Sequence, residues 1–221
     1  PGEVIRYHLE LTDNDAVTGP KTTIGPEGEI RLPSFDEMYA ALDEDRGDQL
    51  KEAREALERQ ENVAEDLKSA LQEMRRDKKL DWEQQEQVKE LAARQEEVAR
   101  QVEDLAQAME RSLERMEQGS LFSPEILEKV AQINELVREI EDPAFREQLR
   151  KLQEAIQNLD KKAIQKAMEN LQLTQEELAR NLDRTIQMLQ QLQREENLDR
   201  MIQQAEQMLE EQKRINEQLA A

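Results

Sequence analysis

Side chains with the composition of a reactive or ligand-binding site are scarce in this chain, and the clearest cluster is Asp13, Asn14 and Asp15. Three neighbouring oxygen-bearing side chains on a loop can bind calcium. The cluster departs from the calcium-loop pattern, because Thr18 stands where glycine is required and no glutamate lies twelve residues along. The pattern therefore favours a turn in which these side chains bond their own backbone, with a weak metal site as the alternative.

The sequence patterns of familiar catalytic chemistry are absent. The one histidine, His8, falls in a predicted strand without an acid at a useful spacing. Carboxylate pairs such as Glu86 and Glu90 are frequent, but a di-iron bundle also needs a Glu-x-x-His that the chain does not contain. There are no cysteines, no glycine-rich phosphate loop and no nucleophile elbow. We therefore predict a protein that is not an enzyme and holds no cofactor.

The composition beyond residue 40 is typical of long helices and coiled coils. The chain is 37% charged and only 3% aromatic, and its 51 acidic and 31 basic residues give a net charge of −20. A nucleic-acid-binding protein concentrates lysine and arginine on one face, so this acidity argues against nucleic acid as a partner. The sustained apolar periodicity argues against disorder.

Residues 1–33 differ from the rest and are predicted to be a β segment. Val4–Leu11 has the β-branched and aromatic content of a strand, and Glu29–Leu32 is a second short strand that ends at Pro33. Two strands cannot bury enough surface to be stable alone. The segment resembles the last strands of an immunoglobulin-like domain.

A helical region is predicted for residues 34–118. Ser34 and Glu37 form a capping box that starts it, and Gly47 interrupts it early. Its apolar residues alternate in steps of three and four and define two seams. The first seam contains Leu50, Ala53, Leu57, Gln60, Ala64, Leu67, Leu71 and Met74, and the densest part of the second contains Val98, Val102, Leu105 and Met109.

The periodicity fades over residues 75–87, and two interpretations remain open. In one, the chain breaks or kinks near 79–81, and Asp81 caps a new helix in which Trp82 fastens the helix start to the bundle. In the other, one helix of roughly 120 Å continues through the region at about 1.5 Å per residue. A second interpretation, in which the Trp82 side chain anchors a partner protein, is less favoured. The methionines on or near the seams favour ordinary core packing over an adaptable binding groove.

Residues 123–221 are predicted to be several helices that fold back along the first. Glycine followed by Ser-Pro at Gly119–Ser123 predicts a chain reversal. Four capping residues then start helices, namely Ser123, Asp142, Asp160 and Thr174. The purest apolar seam contains Ile126, Val130, Ile133 and Val137, and we expect it to pack antiparallel on the Val98–Met109 seam. The predicted fold class is all-α, an elongated antiparallel coiled coil or helical bundle with a small N-terminal β remnant.

Several motifs resemble those of a family of large bacterial envelope proteins. They are Tyr7–Asp15 with Gly19–Thr22, Lys79–Glu83, Phe122–Glu125 and Leu173–Leu178. Together they resemble domain-of-unknown-function family 4175. The resemblance implies membrane-spanning helices upstream of this chain, a β-rich region and a long helical region outside the cytoplasm. It implies a periplasmic or cell-envelope location, membrane attachment only through regions absent from this chain, and no known activity.

Two functions fit these patterns. The first is a non-enzymatic structural or scaffolding segment that binds protein partners, or further copies of itself, through apolar helix seams. The second is a soluble adaptor or chaperone-like clamp that grips protein clients between helical arms. Seams buried against one another favour the scaffold, whereas an apolar stripe facing a cavity favours the clamp.

Overall fold

A computed structural model describes residues 4–14, 17, 19–31, 34–76, 81–119, 122–140 and 143–220. The chain forms two compact units, Pro1–Glu44 and Asp45–Ala221. The fold is an all-α helical bundle with a small N-terminal β segment, as the sequence predicts. The β strands belong to the first unit, and most of the helical residues belong to the second.

The β segment contains four short strands, β1 (Val4–Tyr7), β2 (Glu10–Thr12), β3 (Thr22–Ile24) and β4 (Gly28–Arg31). β1 pairs antiparallel with β4, and β2 pairs antiparallel with β3. The prediction of one strand over Val4–Leu11 is wrong, because pairing stops after Tyr7 and β2 turns to a different partner. β3 was not predicted, and Leu32 and Pro33 lie outside the described residues. Nearly every strand residue is exposed.

The first helix, α1 (Phe35–Arg76), begins with the predicted capping box. The Glu37 amide donates to Ser34 Oγ at 3.2 Å, and the Ser34 amide donates to Glu37 Oε2 at 2.8 Å. These bonds satisfy backbone donors that the first turn leaves free, so this prediction is confirmed. The hydrogen bond from the Ser34 amide, followed by the bond with its hydroxyl, lowers the pKa of Glu37. The helix continues through Gly47, so the predicted interruption there is wrong.

Four further helices complete the chain: α2 (Trp82–Gly119), α3 (Pro124–Ile140), α4 (Pro143–Gln157) and α5 (Lys161–Ala220). The predicted caps at Asp81, Ser123 and Asp160 are confirmed. The Gln84 amide donates to Asp81 Oδ1 at 2.8 Å, and the Ala163 amide donates to Asp160 Oδ1 at 3.1 Å. At Ser123 the backbone carbonyl accepts from the Leu127 amide at 3.2 Å. The predicted cap at Asp142 and the centre of the predicted turn, residues 120 and 121, lie outside the described residues.

Residues 34–118 form two antiparallel helices and not one continuous helix. α1 ends at Arg76 and α2 begins at Trp82, while residues 77–80, including the predicted break at Lys79-Leu80, lie outside the described residues. Arg115 of α2 pairs with Asp45 at 2.6 Å, and Arg94, further towards the start of α2, pairs with Asp66 at 2.7 Å. The two ion pairs follow opposite orders along α1 and α2, so the two helices are antiparallel neighbours.

Ion pairs also establish the relative directions of the other helices in the second unit. α3 and α4 together run antiparallel to α2, through Arg138 with Glu110 and Arg146 with Glu103. α5 runs antiparallel to α1, through Arg75 with Glu169 and Arg46 with Glu196. Residues 45–196 therefore form an up-down-up-down four-helix bundle whose third arm consists of α3 and α4. In this arrangement α2 and α5 run in the same direction.

Two sequence predictions fail within the bundle. Thr174 does not start a helix, because α5 is continuous from Lys161. Its hydroxyl donates backwards to the Leu171 carbonyl at 2.8 Å, a bond that threonine makes in the middle of helices. Trp82 does not fasten α2 to the bundle, since its side chain is 74% exposed. The methionines divide: Met74, Met109, Met116 and Met168 are buried, whereas Met201 and Met208 are exposed.

Candidate functional site

Asp13 lies in a turn between two paired strands. The Lys21 amide donates to Asp13 Oδ1 at 2.8 Å, and the Asp13 amide donates to the Lys21 carbonyl at 3.0 Å. The side chain therefore bonds backbone, but its partner lies eight residues along the chain and not in the local turn that the sequence predicts. Asn14 is exposed, and Asp15 lies outside the described residues. Within those residues, no three histidine or carboxylate side chains come together as a metal site.

His8 has an acidic neighbour that the spacing did not suggest. Its Nε2 lies 3.0 Å from Glu10 Oε1, and both side chains are about half exposed. The two residues are two apart, and side chains at this spacing lie on the same side of an extended chain. The structure therefore shows a solvent-exposed His–Glu contact in the β segment.

The eight seam residues of α2 and α3 are all buried, each at most 4% exposed. They are Val98, Val102, Leu105, Met109, Ile126, Val130, Ile133 and Val137. The structure brings the Met109 end of the α2 stripe onto α3, because the Asn134 side-chain amide donates to the Met109 carbonyl at 3.4 Å. Val102 lies instead against Ile140 and Phe145, where α4 begins, so the predicted packing of the two stripes is only partly confirmed. These seams therefore form the interior of the bundle.

One end of the bundle interior contains a charged cluster that we call the arginine layer: Arg46, Gln49, Met116 and Glu196. Arg46 is completely buried and Glu196 is 2% exposed. Arg46 Nε lies 3.1 Å from Glu196 Oε1, and Arg46 Nη2 lies 3.0 Å from the same oxygen. The guanidinium also donates to Gln49 Oε1 at 2.6 Å and to Met116 Sδ at 3.3 Å. The layer thus connects α1, α2 and α5.

A second polar cluster, the glutamine layer, lies further along the same three helices. Gln175 Nε2 donates to Gln95 Oε1 at 2.6 Å, and Gln95 Nε2 donates to Gln60 Oε1 at 2.8 Å. All three side chains are at most 1% exposed. Gln60 Nε2 and Gln175 Oε1 have no partner among the described residues.

The burial of part of each polar layer could be predicted from the heptad spacing of the sequence. Gln60 and Gln95 occupy seam positions, so their burial follows from the heptad spacing. Arg46 precedes the seam residue Leu50 by four, and Glu196 follows Leu192 by four, which are also seam spacings. Charged residues at seam positions are easily taken for the end of a seam, and pairing between residues 150 apart leaves no local pattern.

Two carboxyl groups at the bundle surface have pKa values that shift in opposite directions. Lys129 of α3 pairs with Glu195 of α5, and that hydrogen bond, followed by one from Gln191, lowers the pKa of Glu195. Glu52 of α1 shows the reverse, because partial burial, followed by the charge of Asp48, raises the pKa of its carboxyl. Both effects arise from neighbouring groups at the surface of the bundle.

The described part of the bundle interior includes one small cavity. A cavity of about 10 Å³ lies where α3 gives way to α4, lined by Val102, Ile140 and Phe145. A single water molecule needs about 10–15 Å³ of such volume, so this cavity holds no organic ligand.

The described helices include none with the length and apolar character needed to cross a bilayer.

Comparisons of the chain with protein-family models, with curated proteins and with solved structures found no match. The resemblance to domain-of-unknown-function family 4175 therefore stays a prediction.

Proposed function

We propose that this chain is a non-enzymatic structural segment, a rigid helical scaffold that acts through helix–helix packing. The observation that carries the proposal is the closure of the bundle over residues 45–196, in which the apolar seams cover one another. A scaffold needs a fixed distance between its ends, and an antiparallel bundle with a packed core supplies that rigidity.

The two polar layers support a scaffold because they fix how the helices align. An apolar seam repeats every seven residues, so helices can slide by a heptad and still bury similar side chains. Sliding α5 against α1 by one heptad separates Arg46 from Glu196 and leaves two charges buried without each other. Buried polar residues are known to fix register in coiled coils at a cost in stability. We propose the same role for both layers here.

The chaperone-like clamp is the alternative function, and the described residues of the bundle provide little support for it. A clamp that grips unfolded clients needs apolar surface facing an opening between its arms. Between residues 45 and 196 the large apolar side chains are mostly buried, with Trp82, Leu159 and Leu173 as isolated exposed exceptions. Single exposed apolar residues are normal on soluble proteins.

The proposed location in the bacterial cell envelope rests on the family resemblance alone.

Distance measurements between spin labels test rigidity directly. The chain has no cysteine, so introduced cysteines are labelled cleanly. We choose Asn62→Cys on α1 and Arg150→Cys on α4, both exposed and on different arms. The scaffold predicts one narrow distance distribution that an unfolded client protein does not change. A broad or two-peaked distribution, or a shift when the client is added, would support the clamp.

A matched pair within one helix controls for label motion. Glu90→Cys with Glu97→Cys places both labels on exposed positions of α2. This pair must give a narrow distribution under either function, so breadth seen only in the pair between arms reports movement of the arms.

A further inference from the structure

The last part of α5 carries an apolar stripe on a different side from the face that packs in the bundle. Buried residues of α5 follow one another in steps of three and four up to Leu192 and Glu196. The same phase continues into Asp199, Gln203, Glu206 and Glu210, which are all polar. Asp199 and Gln203 are half-buried, so this side of the helix remains the more covered one.

The apolar residues beyond Asn197 lie on nearly the opposite side. Successive helical residues turn by about 100°, so Leu198 is rotated by about 200° from Glu196. The stripe, which we call the outer stripe, contains Leu198, Met201, Met208, Leu209, Ile215 and Leu219, exposed by 47% to 80%. The bundle, which packs on the other side of α5, does not cover these side chains.

The spacing of the outer stripe is that of a coiled coil. Leu198, Ala205, Gln212 and Leu219 repeat every seven residues, and Met201, Met208 and Ile215 repeat between them. These are the two inward positions of three heptads, with an average spacing of 3.5 residues. A stripe with this spacing fits one other helix with the same spacing, wound around it with a left-handed twist.

We propose that residues 198–219 form a parallel, in-register coiled coil with the same residues of a second copy of this chain. The first reason is charge. Six positions flank the seam, namely Ile202, Gln204, Leu209, Glu211, Asn216 and Gln218, and only Glu211 is charged. In a parallel pair Glu211 faces Asn216 of the other copy. Two chains of net charge −20 therefore meet along this line without repulsion between like charges at the flanks.

The second reason is the polar residue within the seam. Gln212 occupies an inward position, where an apolar partner would leave its amide without a hydrogen bond. In a parallel, in-register pair each Gln212 faces the Gln212 of the other copy, and the two amides can bond to each other. A single buried amide at this heptad position is a known determinant of a parallel two-stranded register. A protein recognised through ion pairs would find almost no charge along these flanks.

This association goes beyond the scaffold function and does not depend on it. It would join two bundles through one helix of each and leave both interiors unchanged. Three heptads span only about 33 Å at about 1.5 Å per residue, so we expect a weak dimer that forms as the protein concentration rises.

Sedimentation equilibrium of the full chain over a range of concentrations tests the proposal. We expect a reversible monomer–dimer equilibrium that the Met208→Asp/Ile215→Asp variant abolishes. The matched control is Gln207→Asp, an exposed position on the same helix outside the stripe, and it should dimerise normally. At a concentration low enough for all three proteins to be monomeric, their unfolding midpoints in urea should agree, because residues 198–220 include no buried side chain. A chain that stays monomeric at every concentration overturns the proposal, as does a dimer that survives the double substitution.

Cysteine cross-linking then tests the orientation. Ile215→Cys should form a disulfide between two copies under mild oxidation, since equal inward positions face each other in a parallel pair. Mixing Leu198→Cys chains with Ile215→Cys chains should give only the two self-paired products. A dominant mixed product would show antiparallel pairing and contradict the in-register arrangement.

Discussion

The guanidinium of Arg46 and the carboxylate of Glu196 form an ion pair inside the bundle, although the residues are 150 positions apart in the sequence. Their side chains are 0% and 3% exposed, and Arg46 Nη2 lies 3.0 Å from Glu196 Oε1. Taking two charges out of water costs several kcal/mol per ion, which only good geometry offsets. Such a pair adds little net stability, which agrees with the proposed role of the arginine layer in aligning α1 with α5.

This relationship predicts that single substitutions are far more harmful than the double one. Arg46→Met leaves the Glu196 carboxylate buried without its guanidinium, and we expect it to lower the free energy of unfolding by about 3–5 kcal/mol. Arg46→Met/Glu196→Leu removes both charges and should recover most of that loss, or exceed the parent in stability. Urea denaturation of the parent, the two single variants and the double variant measures the coupling.

An exposed pair supplies the control for this cycle. Arg150 and Glu154 form an ion pair on the surface of α4, where such pairs contribute about 0–1 kcal/mol. Arg150→Met should therefore be nearly silent. Additive losses from Arg46→Met and Glu196→Leu would mean that the two side chains do not act together.

The glutamine layer should respond in the same manner on a smaller scale. Gln95→Leu removes the residue that bonds both Gln60 and Gln175, and leaves two buried amides without partners. We expect a loss of about 1–3 kcal/mol in the free energy of unfolding. Replacing all three glutamines by leucine should restore stability. An exposed substitution on α1, Gln72→Leu, should change little, and a Gln95→Leu variant as stable as the parent would refute the role of the layer.

The buried face of α2 predicts a sharp difference between two positions on that helix. Val102 is 2% exposed, so Val102→Asp places an unpaired charge in the core and should destabilise the bundle by several kcal/mol, roughly 3–5. Gln107→Asp introduces the same side chain at an exposed position and should be nearly silent. Glu103→Ala loses only the exposed pair with Arg146, worth about 1 kcal/mol or less. Thermal unfolding of the three variants decides the point.

The Lys129–Glu195 pair predicts a pH dependence with a definite sign. The hydrogen bond from Lys129 lowers the pKa of Glu195, so its contribution to stability is present above the unfolded value, about 4.3, and is lost as the pH falls through the folded value. Glu195→Gln should therefore be less stable than the parent at neutral pH, and the difference should vanish in acid. Glu177→Gln, an exposed substitution on the same helix, serves as the control. A difference that grows on acidification would contradict this sign.

The parts of the fold that local chemistry dictates follow from the sequence. Ser34, Asp81 and Asp160 start helices because each side chain satisfies amides within its own first turn. Thr174 has the same local pattern and yet lies within α5, since packing of Gln175 and Leu178 in the core keeps the helix continuous. Propensity and capping signals are weak beside tertiary packing.

The long-range features could not be predicted in this way. Nothing near Arg46 indicates that Glu196 is its partner, because which helices become neighbours depends on the whole bundle. The turn after α4 is another case: Leu159 adopts a φ of 53°, which sequence reasoning assigns to glycine or asparagine. The Asp160 amide bonds to the Ala155 carbonyl there at 3.2 Å, so the closing hydrogen bonds hold leucine in an unfavourable conformation.

Native-state hydrogen exchange is the most direct test of the central claim, that residues 45–196 form one closed bundle that does not open in order to act. Amides in the middle of α2, α3 and α5 should exchange only by global unfolding, with the same opening free energy as urea denaturation gives. The exposed end of α5, residues 198–220, should exchange much faster. An opening free energy for α3 or α5 that lies several kcal/mol below the global value, with the Val98–Met109 seam exposed in the open form, would contradict the scaffold and support a clamp.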